Sequence, residues 1–256
     1  MSPTSLLPAD ISVAALIVIL VVALGAGMAR GFSGFGAALI FMPLASAIVA
    51  PQIAAAVLML IDLVAAPPLI PNAWRHARRG TVAALAFGAA FGVPLGAFTL
   101  TRLDPMTTRW LISGFVLALL ALLISGWRYS GGERPVLAIG VGGVAGFCGG
   151  LAQSGGPPII AYQLGQPVSA VVARANIVLY FAATGIFSAV SYFAGGLLTS
   201  GVIRLALIVG PIYALGLFLG ARMFGLASEA VFRRVCYGLI ALAAVIGLPL
   251  LDGVLR

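Results

Sequence analysis

The chain encodes an all-α, polytopic integral membrane protein, and three observations predict that class. Hydrophobic residues make up 62% of the 256 positions and charged residues 8%, with a mean hydropathy of +1.18. Soluble domains carry about 25% charged residues. The apolar runs are continuous and approach the roughly 20 residues a helix needs to cross a bilayer, whereas a transmembrane barrel would alternate polar and apolar residues. The charges collect in the short breaks between these runs.

Ten hydrophobic segments follow from this reading, which implies eight to ten spans. Residues 11–28 form the first; Asp10 and the lack of a basic stretch before it argue against a cleaved signal peptide. Residues 32–50 contain glycines and Pro43, which makes this segment weak. Segments 53–70, 81–100 and 109–127 complete the first half. Residues 136–151 open the second half. A run at 159–164 is too short to cross alone. Segments 171–193, 202–224 and 231–251 finish the chain. If the two weak segments are re-entrant, the count falls to eight.

Loop charge sets the orientation, because cytoplasmic loops are enriched in Arg and Lys. Strict alternation that puts Arg75, Arg78 and Arg79 inside also puts Arg30, Arg128, Arg134, Arg222, Arg233 and Arg234 there. The other face receives Arg102, Arg109 and Arg256, and both termini lie outside.

The net charge of +8 is carried by arginine with no lysine. A nucleic-acid partner would need clustered basic residues on a solvated face, and these arginines sit in loops, so none is expected. Cys148, Cys236 and the single His76 make neither a disulfide framework nor a metal pattern. No cofactor or metal is expected. An enzyme would need a nucleophile, base or metal set, and the chain has six acidic residues and neither an H-E-x-x-H nor a G-x-S-x-G motif.

The two halves, 1–127 and 128–256, resemble each other. Gly31 to Gly36 (GFSGFG) aligns with Gly146 to Leu151 (GFCGGL), Pro51 with Pro167, Gly96-Ala97 with Gly220-Ala221, and Asp104–Arg109 with Ser228–Arg233. Five segments per half is an odd number, so the repeats are expected to be inverted. Inverted repeats with interrupted helices at matching positions point to a secondary transporter with its site at the repeat interface, near the midplane.

The glycine-rich stretches carry the chemistry. Gly146 to Pro158 reads GFCGGLAQSGGPP inside an apolar region. Open backbone at membrane depth survives where protein buries it or where it lines a wet cavity. A helix N-terminus presents unpaired N–H groups and about half a positive charge, which hold oxyanions without a charged side chain. Pro157 and Pro158 suit the first turn of a restarting helix. Gln153, Ser154, Gly155 and Gly156 are therefore candidate substrate contacts, with Ser33, Gly34, Phe35 and Gly36 as their first-half counterparts. The alternative is that these glycines permit close helix packing.

The duplicated glycine-rich openings Gly31–Pro43 and Gly146–Pro158, with the later Gly96 and Gly220, resemble the sulfite exporter TauE/SafE family of membrane transporters. The resemblance covers nearly the whole chain. It implies export of a small anion such as sulfite, an organosulfonate, or a related sulfur-containing or carboxylate anion, from a multi-pass position in a cell membrane, here a bacterial inner membrane. The first half departs from the family's fuller glycine run at Ala37 and Ala38, and Ala152, Gln153 and Ser154 interrupt the glycines of the second.

Three further residues stand out. Asp62 lies inside a span, where a charge costs at least about 2.5 kcal/mol and must face protein or water. It is the candidate for coupling to a proton or sodium, with a structural hydrogen bond or ion pair as the alternative. Arg174 supplies fixed charge to an anion path or snorkels to the interface, about 9 Å from Pro167. Asn176 donates to substrate or to a neighbouring helix. The expected partners are a small anionic substrate, the coupling ion and the lipid bilayer. An anion channel or a non-transporting membrane partner protein is the rival reading.

Overall fold

The computed structural model describes residues 11–33, 35–65, 67–223 and 229–251. Gly34, Asp10, Ser228 and Arg256 lie outside them, and the side chains of Ser33 and Arg233 are not described. Among the described residues the regular structure is helical. The helices are α1 (Val13–Ser33), α2 (Ala37–Ser46), α3 (Pro51–Ala65), α4 (Ile70–His76), α5 (Arg79–Arg102), α6 (Pro105–Ile124), α7 (Pro135–Ala152), α8 (Gly156–Gln163), α9 (Ala170–Ala194), α10 (Ser200–Met223) and α11 (Glu229–Gly247). Short 3-10 turns occupy Pro67–Leu69 and Pro249–Leu251.

Local chemistry places the helix starts. Proline occupies the first position of α3, α6 and α7, where its missing N–H costs nothing. Ser169 caps α9 by accepting from Val172 N–H at 3.4 Å, and Asp104 caps α6 by accepting from Thr107 N–H at 3.0 Å.

Each of the ten apolar segments contains a helix among its described residues, but the count of ten spans is not confirmed. Six described helices are long and apolar enough to cross a membrane, or up to seven if α3 and α4, bent by 73°, make one broken span. For α2 and α8 the physical reason is length. At 1.5 Å per residue, α2 with 10 residues and α8 with 8 rise about 15 and 12 Å, against a hydrocarbon core of about 30 Å.

The chain divides into two compact units. Unit 1 takes Met1–Ile61, Leu103–Leu117 and Gly196–Arg256; unit 2 takes Asp62–Arg102 and Ala118–Gly195. Each unit therefore draws on both 1–127 and 128–256. In unit 2, α5 packs along α7, and α8 and α9 close around them. Leu85, Ala89 and Val93 of α5, Ala138 and Ala145 of α7, Ile159 and Tyr162 of α8, and Tyr180 of α9 form its core. In unit 1, α1 packs along α10, and α2 lies against α1 and α11.

Glycine sets both close pairs. In unit 2, a Cβ at Gly92 would strike the Gly143 backbone, at Gly96 the Phe147 backbone, and at Gly150 the Val93 backbone. In unit 1, a Cβ at Gly216 would strike Leu24, at Gly220 Met28, and at Gly31 Leu217. These contacts correspond one to one at a constant offset. The repeat is therefore present in the packing: α1 on α10 repeats α7 on α5. The pairing of Gly96 with Gly220 stands. The pairing of Gly31 with Gly146 is displaced by one turn, because Gly31 occupies the place of Gly150 and Gly27 that of Gly146. Glycines spaced four apart make a one-turn slip invisible in sequence. The outward face of α5 carries Phe87, Phe91, Leu95 and Phe98, each more than half exposed, as expected of a surface that meets lipid.

Candidate functional site

The chain breaks between α7 and α8. Gln153 ends α7 at φ 53°, ψ 17°, and is the sole non-glycine residue at positive φ among those described. Its N–H donates to Gly149 O at 2.8 Å, and Ser154 N–H donates to Cys148 O at 3.2 Å. The chain then turns back along α7: Gly155 sits so close to the Ala145 carbonyl that no Cβ would fit. α8 returns to the loop before α7, where Tyr129 N–H donates to Ala161 O at 3.1 Å and the Tyr129 and Tyr162 rings stack at 5.6 Å. The pair is a helical hairpin, entered and left at the same end of unit 2.

The turn is buried and its side chains are pinned. Ser154 is 2% exposed, and Gly155, Gly156 and Pro157 are buried. Ser154 Oγ donates to Ala152 O at 2.9 Å. Gln153 Nε2 donates to Tyr192 Oη at 3.1 Å, and that hydroxyl donates to Gly150 O at 2.8 Å. Both polar hydrogens of Ser154 are thus spent inside the turn. Pro157 and Pro158 have no N–H. The orphan donors of the α8 N-terminus reduce to the N–H groups of Gly155 and Gly156.

The break is not at the centre of the unit. Gly150 lies against Val93 and Ala97, so Gln153 stands about 10 Å past the midpoint of α5 at helical rise. It is level with Tyr192, near the end of α9, because α7 runs nearly a full span before it breaks. In the first half α1 ends at Ser33, Phe35 is half-buried, and Gly36 caps α2 at φ 95° with Leu39 N–H donating to its carbonyl at 3.1 Å, whereas Gly155 caps α8 at φ −71°.

The other predicted residues are separate from the turn. Asn176 is fully buried; its Oδ1 accepts from Arg78 N–H at 2.8 Å and its Nδ2 donates to Gln163 Oε1 at 3.2 Å. This is the interhelical bond weighed as the alternative to substrate donation. Arg174 is exposed on α9, and Asp62 is half-buried on α3. Arg78 pairs with Glu133 at 2.8 Å, so Arg78, Arg134 and Arg174 share the end of unit 2 where α5, α7 and α9 begin.

The model of the sulfite exporter TauE/SafE family matches residues 19–246. The chain belongs to the sulfite exporter TauE/SafE family. A probable sulfite/organosulfonate exporter of Cupriavidus necator is 30% identical over 236 residues, which cover 88% of this chain and 91% of that protein. No solved structure matches the chain. As a TauE/SafE protein it is a multi-pass membrane protein of a transporter family.

Within this TauE/SafE chain, sequence reasoning missed a polar group at the far end of α8. Tyr162 Oη, Gln163 Nε2 and both amide atoms of Gln166 are buried without a hydrogen-bond partner, and each such group costs about 1–3 kcal/mol. The available signal was two glutamines three residues apart in a run too short to reach water on its own. A cavity of about 500 Å³ in unit 1 lies elsewhere, lined by Ser46, Pro51, Asp104 and Arg109 among others. Arg109 there is 5% exposed and donates to Gly247 O at 3.2 Å. Among the described residues, no three of His, Cys, Asp or Glu are grouped to hold a metal ion.

Proposed function

We propose that the protein is a secondary transporter that exports sulfite, an organosulfonate or a related small sulfur or carboxylate anion across the bacterial inner membrane by alternating access. The observation that carries this reading is the buried hairpin turn at Gln153–Gly156, a helix N-terminus inside an apolar unit. Gly155 and Gly156 offer N–H groups to an oxyanion, and the low surrounding polarity strengthens each bond. Ser33, Gly34, Phe35 and Gly36 are the corresponding candidates before α2 in the other unit. Gln153, held by Tyr192, and Ser154, bonded to Ala152, shape the turn. Arg174 draws anions toward the arginine-bearing end by its field. Asp62 is the candidate carrier of a coupling proton or the ligand of a sodium ion.

The name of the Cupriavidus relative and the family match support the substrate class. The test is uptake into proteoliposomes of labelled sulfite, a sulfonate and small carboxylates, with and without an imposed proton gradient. Saturable uptake of a sulfur oxyanion is expected. Uptake equal to that of empty liposomes for every anion would overturn the reading.

A further inference from the structure

α8 is a buried helix with polar groups at both ends, and the transport reading uses one of them. At the other end stand Tyr162, Gln163 and Gln166, which are 2%, 1% and 6% exposed. A chain of bonds that starts from the backbone fixes the amide of Gln163. The Arg78 N–H is a donor and nothing else, so the Asn176 atom it meets is the carbonyl oxygen. The Asn176 amide nitrogen must then be the donor to Gln163, and the Gln163 atom it meets is Oε1. Gln163 is left presenting Nε2, a donor, buried and without a protein partner. Both amide atoms of Gln166 and the Tyr162 hydroxyl are in the same condition.

The nearby acceptors are already used. Ile160, Ala161 and Gln163 carbonyls accept from Leu164, Tyr129 and Gln166 N–H groups. A cation would need such oxygens; the surplus here is weighted to donors. The surroundings favour an anion as well. Arg174 is exposed on α9 and Arg78 in the link between α4 and α5, where Arg78 at 2.8 Å and Thr81 at 3.1 Å hold the Glu133 carboxylate.

We propose that Gln163 and Gln166, with Tyr162 beside them and Asn176 as the positioning residue for Gln163, form a second binding stop for a small sulfur oxyanion at the arginine-bearing end of α8. It stands about 10 Å along that helix from the glycine turn. Two stops at the ends of one short helix let an anion enter from the arginine-bearing face before it reaches the turn. The inference rests on the transport reading of the same hairpin.

The experiment is the initial rate of labelled sulfite flux in inside-out and right-side-out membrane vesicles, for wild type, Gln163→Glu, Gln163→Leu and Gln166→Leu. Gln163→Glu keeps the oxygen that Asn176 bonds and replaces the buried donor by a second oxygen. KM for anion presented at the arginine-bearing face is expected to rise about tenfold or more, with KM at the opposite face unchanged. The two leucine variants should shift the same face in the same direction; if either fails to reach the membrane, Gln163→Glu decides. Wild-type KM at both faces, or an equal rise at both, overturns the second stop and leaves the transport reading in place. Wild-type vesicles that move no sulfite above empty-vector vesicles overturn both.

Discussion

Replacing Gln153 by glycine and by alanine separates backbone strain from hydrogen bonding at the hairpin turn. Gln153 holds φ 53°, a left-handed conformation that costs a non-glycine residue roughly 1–2 kcal/mol. Its amide donates to Tyr192 at 3.1 Å, a neutral bond worth about 1 kcal/mol. Tyr192 keeps its own bond to Gly150 O in either variant, so no buried group is orphaned. Gln153→Ala retains the strain and loses the bond, and should be about 1 kcal/mol less stable than wild type. Gln153→Gly loses the bond but relieves the strain, and should lie close to wild type. Thermal unfolding in detergent should therefore place the glycine variant about 2–4 °C above the alanine variant. Sulfite flux should fall alike in both if the side-chain amide touches the anion. An alanine variant as stable as the glycine variant would refute the strain argument.

Other outcomes follow from the same geometry. Gly149→Ala meets nothing within 4 Å and should be neutral or stabilise by up to about 1 kcal/mol, whereas Gly150→Ala drives a methyl into the Val93 backbone and should cost about 1–3 kcal/mol; paired melting curves check the contrast. Asn176→Leu strips the partner from buried Gln163 Oε1 and should cost about 1–3 kcal/mol by the same assay. Asp62→Asn should abolish the pH dependence of uptake if Asp62 carries the coupling proton, and persistence of that dependence would remove it from the role. Thr107, through its hydroxyl and then its N–H, holds the Asp104 carboxyl below the ordinary 3.8. The folded-state value is the lower one, so the stabilisation is present at neutral pH and lost as pH falls through it. The melting-temperature gap between wild type and Asp104→Ala should accordingly close in acid.

Much of the fold was legible because lipid imposes long apolar runs. Every segment expected from hydropathy contains a helix among its described residues, and the two marked as weak, at 32–50 and 159–164, hold the short arms α2 and α8. Hydropathy reports burial from water and not direction, so it left open whether the segment at 159–164 spans or, as α8 does, turns back along α7. The helix α4 falls where the sequence predicts a loop, because its seven residues include Pro71, Asn72, Arg75 and His76 and carry no apolar run of their own. The repeat was legible in its glycines, but their four-residue spacing hid the one-turn slip that the close contacts of Gly31 and Gly150 resolve. At the site, Gln153–Pro158 announced a break, since glycine and proline together cannot continue a helix. The depth of that break depended on how far α7 runs before it. Gln163 and Gln166 went unnoticed because burial of a glutamine depends on its neighbours in space, here Asn176 on a helix that begins several residues later.

The account centres on a buried helix end that takes up a small sulfur oxyanion and releases it on the other side. Its most direct measurement is counterflow of labelled sulfite in proteoliposomes preloaded with unlabelled sulfite. A carrier whose site faces one side at a time should accumulate label transiently, with a rate that saturates in external sulfite. Label that merely equilibrates, at a rate linear in concentration and indifferent to internal sulfite, would contradict it.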